Sequence, residues 1–90
     1  MNAQALSAHV LQALALAQTE GRASTLDSLV AELRVRRGDI RRTVTALHRE
    51  GYLDALRMRL TLRGFALGRS YMGEALPALR RPRLAVVAAA

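Results

Sequence analysis

The fold is decided by residues 26–53, which read LDSLVAELRVRRGDIRRTVTALHREGYL. Leu26, Leu29, Val30 and Leu33 recur at helical spacings and give a short helix with one buried side. Ile40, Val44 and Leu47 follow at spacings of four and three and share one face of a second helix. Only Arg34 to Arg37 separate the two stripes, and Val35 in the middle of that tight connection is expected to plug into the core. Gly51 ends the second helix as its left-handed cap. The outer face is left to Asp39, Arg41, Arg42, Thr45 and Arg49.

Upstream, Leu6, Val10, Leu14 and Ala17, with Leu11 beside them, form a broad apolar stripe that predicts a first helix from Ala3 to Gln18. Gly21 stops it, and Ser24 is expected to cap the next helix, with Asp27 three residues on favouring the positive end. Downstream of Tyr52 the period changes. Leu53 and Ala55, then Met58, Leu60 and Leu62, alternate with Asp54, Arg57, Arg59 and Thr61, as in strands. Two runs this short fit a small hairpin joined around Leu56 and Arg57, although no Asn-Gly or Gly-Gly marks its tip. Thr61 is placed to cap a fourth helix running from Leu62 to about Met72, or on to Leu76 before Pro77.

Ninety residues suffice for one domain. Alanine (17) and leucine (16) dominate the hydrophobic 51%, so the chain is expected to fold, and to fold mainly as helices. The absence of cysteine removes disulfides and thiolate metal sites, and the cytoplasm is the default location. Met1 to Thr19 lacks the basic start of a signal peptide, and the apolar end from Leu84 to Ala90 is far shorter than the roughly 20 residues that cross a bilayer. The expected organisation is a domain over 1–76 and a basic, Ala/Val-rich tail or packing segment over 77–90.

Charge is more specific. All 14 cationic residues are arginine, against 7 acids, for a net charge of +7. Met1 to Leu33 is acidic by two and residues 70–90 are basic by two, so residues 34–69, with ten arginines beside Asp39, Glu50 and Asp54, hold a charge of +7 themselves. A preference for arginine over lysine can reflect genome composition, but clustering in an acid-poor middle suits a polyanion, above all nucleic acid.

Two helices joined by a tight turn, then glycine, then a basic hairpin, is the order of a winged helix-turn-helix domain. Leu26 to Val35 resembles the positioning helix and turn of bacterial regulators. Ile40, Val44 and Leu47 with Gly51-Tyr52-Leu53 resemble their recognition helix and its exit. Leu60-Thr61-Leu62-Arg63-Gly64 is similar to the Leu-Thr-x-x-Gly at which the wing of MarR-like and PadR-like regulators meets the next helix. The resemblance covers about residues 5 to 70 and implies a mainly α (α+β) fold: a three-helix core, a short two-stranded wing and a C-terminal fourth helix. The chain departs from it in a shortened wing, which argues against insertion into the minor groove, and in Arg34 where many relatives have glycine.

An α-helix fits the major groove of B-DNA, where arginine bonds bidentately to guanine. On this reading Arg41, Arg42 and Thr45 reach bases, and Arg36 and Arg37 at the helix start attract phosphate. Asp39 accepts from cytosine or, more ordinarily, caps the helix. His48 and Arg49 touch phosphate, while Arg57, Arg59 and Arg63 lie along a phosphate strand from the hairpin. The role requires these arginines to be free of carboxylates and of subunit contacts. Gly64 and Gly68 each cost a helix about 1 kcal/mol relative to alanine. Compensation by close helix approach across a twofold axis, together with the first helix, would give the homodimer that a palindromic site demands.

Enzymatic readings are not expected. Gly64-Phe65-Ala66-Leu67-Gly68-Arg69-Ser70 has the wrong glycine spacing and no lysine for a phosphate loop, and neither a nucleophile elbow nor paired carboxylates appear. His9 and His48 lack partners for a metal site, no cofactor is implied, and three aromatics are too few for a base-stacking platform. The expected function is therefore sequence-specific binding of double-stranded DNA by a small dimeric transcriptional regulator. The alternative is a winged-helix module that holds another regulator or transcription component; a membrane-surface role lacks the bulky apolar face it would need.

Overall fold

The computed structural model describes residues 3–77 and 79. The elements are α1 (Ala3–Thr19), α2 (Leu26–Leu33), α3 (Arg37–Arg49), β1 (Leu53–Asp54), β2 (Arg59–Leu60) and α4 (Leu62–Ser70). The chain is mainly helical with one antiparallel hairpin, in the layout expected of a winged helix-turn-helix. The expected tail lies outside the described residues apart from Pro77 and Leu79.

Helix α1 packs against α2, α3, α4 and β2. It has no charged residue, glycine or proline, and it buries Ala5, Leu6, Val10, Leu11, Ala13, Leu14, Ala15 and Ala17. The alanines matter as much as the leucines, because a methyl side chain lets neighbouring backbones approach. Leu29 from α2, Val35 from the turn, Ile40, Val44 and Leu47 from α3, and Leu53 and Leu60 from the hairpin complete the same core. Leu26, Val30 and Leu33 sit half-buried at its edge.

Hydrogen bonding at the helix ends explains the boundaries. Helix α1 closes with Gly21 N–H on the Gln18 carbonyl (3.2 Å) and Arg22 N–H on Ala17 (2.8 Å). Helix α3 closes in the same way, with Gly51 N–H on His48 (3.1 Å) and Tyr52 N–H on Leu47 (2.9 Å). This paired arrangement needs a left-handed residue, which Gly51 supplies at φ +82°. The cap of α2 is Thr25, not Ser24 as the sequence suggested. Thr25 Oγ1 accepts the Ser28 N–H (3.0 Å) while Ser28 Oγ accepts the Thr25 N–H (2.9 Å), satisfying two free donors reciprocally. Asp27 stands in the first turn of α2, where its charge suits the helix dipole as expected, and it also pairs with Arg37. Arg34 does adopt the left-handed conformation, at φ 56°, and its N–H bonds the Val30 carbonyl (2.9 Å). Val35 is buried beneath it, as expected.

In the hairpin Leu53 faces Leu60 and Asp54 faces Arg59. Without glycine in the connection, Met58 takes the left-handed conformation at φ 52°. Leu60 N–H bonds Gln18 Oε1 (2.6 Å), which pins the hairpin to α1.

Thr61 caps α4 as expected, accepting the Gly64 N–H (3.2 Å), and its hydroxyl donates to the Gly51 carbonyl (2.6 Å). The helix stops at Ser70 rather than at Met72 or Leu76. Tyr71 and Met72 turn their N–H groups onto the Gly68 and Arg69 carbonyls, and Gly73 follows at φ +86°. The following segment is held to α1 by Gln12 Nε2, which donates to the Tyr71 carbonyl (2.7 Å), and by His9 Nε2, which donates to that of Pro77 (2.7 Å).

The glycines of α4 are explained within one chain, not across a twofold axis. A Cβ on Gly64 would lie 1.7 Å from the Tyr52 carbonyl oxygen, and one on Gly68 would lie 2.5 Å from the Leu11 oxygen and 2.9 Å from Ala15 Cβ. Their absent side chains allow α4 to seat on α1 and on the α3 exit.

Candidate nucleic-acid interface

Helix α3 is held by one face. Ile40, Thr43, Val44 and Leu47 are buried, and Ile40 is 0% exposed. Thr43, which the apolar spacing did not mark, belongs to this inner face. Since successive residues turn by about 100°, the opposite side is centred on Gly38, Arg42, Thr45 and Arg49, with Arg41 on its flank. All five are exposed. Gly38 leaves the first turn of this face bare: a Cβ there would meet only Arg42 Nη1, at 3.7 Å.

The arginines fall into groups by what holds them. Arg37 at the start of α3 is ion-paired with Asp27 of α2, and Arg42 with Asp39 one turn before it. Asp39 stands in the first turn of α3, where its charge suits the helix dipole, but it makes no cap hydrogen bond; the cap position is Arg36, whose side chain makes none either. Arg57 lies 3.8 Å from Asp54 across the hairpin turn. Arg36, Arg41, Arg49 and Arg59 are exposed and have no ion pair among the described residues. The requirement that the base-reading arginines be free of carboxylates is thus met by Arg41 and not by Arg42.

Two expected phosphate contacts, both exposed, also make bonds within the fold. His48 turns Nδ1 to the hairpin, 3.1 Å from the Ala55 N–H and 3.1 Å from the Leu53 carbonyl. The imidazole ties the end of α3 to β1. Arg63 lies over the Tyr52 ring, 4.6 Å from its centroid, with Nη1 donating to the Glu50 carbonyl (3.3 Å). It buttresses the exit of α3 rather than extending the hairpin edge.

The hairpin turn is braced by a side chain. Asp54 Oδ1 accepts the N–H groups of Leu56 (3.0 Å) and Arg57 (3.4 Å), and Leu56 stands 95% exposed at the tip. Beside the turn, a cleft of about 300 Å³ opens between Arg57, Met58 and Arg59 and the α1–α2 connection. Gln18, Arg22 and Ser24 form its far wall. The sequence marked none of these three as a site residue, Ser24 being read only as a helix cap, because Arg22 sits in an acidic segment and nothing local links it to residues 57–59.

Among the described residues no three His, Cys, Asp or Glu side chains group as a metal site, and no helix is long and apolar enough to cross a membrane. The described residues form a mainly helical domain with a two-stranded antiparallel sheet, a layout compatible with a winged helix. Compared with protein-family models, curated proteins and solved structures, the chain matches none.

Proposed function

We propose that this chain is a double-stranded DNA-binding domain of the winged helix-turn-helix kind, acting in the cytoplasm as a small dimeric transcriptional regulator of the MarR-like or PadR-like sort. The observation that carries the reading is the division of α3: four buried residues lock one face inward, and Arg41, Arg42, Thr45 and Arg49 stand on the other. Arg41 and Thr45 are the base readers, with Arg42 joining them once it leaves Asp39. Arg36, Arg49 and Arg59 contact phosphate. An exposed ion pair is worth only about 0–1 kcal/mol, so Asp39 is easily exchanged for a phosphate or a base edge. The homodimer belongs to this proposal because a palindrome takes two copies, not because of the glycines, which serve packing within the chain.

The test is fluorescence anisotropy of a labelled duplex across a salt series. Neutralising Z phosphates makes log affinity fall with log salt at about 0.9Z, so the three phosphate-contacting arginines give a slope near −2.7. Sedimentation in parallel reports whether one or two copies bind. An affinity flat in salt would favour the second reading, a module that holds a protein partner. The shortened hairpin and the carboxylates already placed on Arg37 and Arg42 speak for that alternative.

A further inference from the structure

We infer that the cleft between the α1–α2 connection and the hairpin turn is a phosphate-binding site, with Arg22 as the ligand that no part of the helix-turn-helix reading supplies. Six residues line it usefully: Gln18, Arg22 and Ser24 on one wall and Arg57, Met58 and Arg59 on the other. Three arginines from segments 35 residues apart in sequence thus line one cleft, and no carboxylate residue is in its lining.

The two walls are fixed relative to each other. Gln18 Oε1 accepts the Leu60 N–H at 2.6 Å, which binds the end of α1 to β2 at the edge of the cleft. That bond uses one lone pair of the amide oxygen and leaves the Gln18 NH₂ group as a donor. Ser24 adds a hydroxyl. Met58 lies in the lining in a left-handed conformation at φ 52°, a costly geometry for a side-chain-bearing residue that recurs at ligand clamps. Donors and positive charge from both sides match the negatively charged acceptor oxygens of a phosphate group.

The carboxylates that face this site stand behind the arginines. Glu20 receives Arg22, with Nε at 2.7 Å and Nη2 at 2.6 Å, and Asp54 lies 3.8 Å from Arg57. Glu20 therefore orients Arg22 and also competes for it. In duplex DNA the ligand is a backbone phosphodiester, and this form rests on the DNA reading; a free phosphate or pyrophosphate presents the same chemistry and does not.

The experiment follows the arginine Nε–H resonances of the full chain by NMR in two titrations, one with a short duplex and one with inorganic pyrophosphate, each against sodium chloride. The Arg22 signal is expected to move and saturate with the duplex, and with pyrophosphate at higher concentration. R22A is expected to lower duplex affinity evenly across sequences and to reduce the salt slope by about 0.9, the value of one phosphate contact. E20Q is expected to act oppositely and tighten both ligands, which a purely structural role for the pair would not produce. If the duplex does not bind at all, the DNA reading fails, and a saturating pyrophosphate shift at Arg22 still upholds the cleft. An Arg22 signal that moves with neither ligand beyond its response to chloride, or an R22A variant with unchanged affinity and slope on duplex DNA that does bind, overturns the inference.

Discussion

Substituting alanine for Gly64 sets helix propensity directly against packing. On propensity alone, alanine in a helix is worth about 1 kcal/mol over glycine, so the change should stabilise. The structure reverses the sign. The added methyl would lie 1.7 Å from the Tyr52 carbonyl oxygen and 2.7 Å from its carbonyl carbon, and both are backbone atoms that no rotamer change can move. Reaching even 3.0 Å requires α4 to retreat by roughly 1.3 Å from the α3 exit, in an interior packed too densely to absorb it. That retreat strains three hydrogen bonds: Thr61 N–H on Tyr52 (3.1 Å), Gly64 N–H on Thr61 Oγ1 (3.2 Å) and Thr61 Oγ1 on Gly51 (2.6 Å). At about 1 kcal/mol per bond, plus overpacking of about 1–3 kcal/mol, less the propensity gain, the expected loss is about 3–5 kcal/mol. A domain of this size holds about 5–13 kcal/mol in total, and the Tm should fall by roughly 12–40 °C. Thermal and urea denaturation by circular dichroism measures this. Gly68→Ala should cost less, because its contacts at 2.5 and 2.9 Å need a smaller shift, and Gly73→Ala least, with nothing within 4 Å of its added methyl. Both losses should be independent of protein concentration, since the clash lies within one chain. A Gly64→Ala variant as stable as the parent, or a loss that vanishes on dilution, would refute the reasoning.

Two further outcomes concern the basic face. Arg41→Ala should weaken a specific site by about 1–3 kcal/mol, while Arg57→Ala lowers affinity evenly across sequences; equal effects on specific and random duplexes would show that α3 does not read bases. Asp39→Asn removes the carboxylate from Arg42 and should raise affinity for random duplex, steepening the salt slope by about 0.9, with thermal stability changed by no more than about 1 kcal/mol; an unchanged slope in anisotropy would mean that Arg42 never meets phosphate.

Much of this fold is legible in the sequence because its elements are bounded by strong local signals. The spacing of Ile40, Val44 and Leu47 specifies the inner face of α3, Gly51 its end, Val35 the plug beneath the turn and Thr61 the start of α4. What stayed hidden depends on choices between chemically similar neighbours or on distant contacts. Ser24 and Thr25 both carry an acceptor hydroxyl, and only the return bond from Ser28 selects Thr25. Gly64 and Gly68 announce a close approach without saying to what, because Tyr52, Leu11 and Ala15 are placed by the tertiary fold. The cleft beside the hairpin unites residues 18–24 with 57–59, a pairing that no periodicity records.

The candidate surface was the least legible level, because arginine position follows from helix geometry but arginine engagement does not. Glu20, Asp27, Asp39 and Asp54 each hold one arginine on or beside the basic surface. These pairs add little to stability, being exposed. Their physical effect is on the charge a polyanion meets at long range. They cancel part of the field at Arg22, Arg37, Arg42 and Arg57, and they leave it at Arg36, Arg41, Arg49 and Arg59. On the DNA reading, attraction to any duplex is weakened, while each paired arginine remains available to a partner whose oxygen is better placed than its carboxylate. Exchange of a carboxylate for a phosphate or guanine edge happens only where the geometry fits, so the penalty falls on misaligned complexes more than on the aligned one. On the DNA reading, Glu20, Asp27 and Asp39 would thus act as a filter on binding, while Asp54 also braces the hairpin turn.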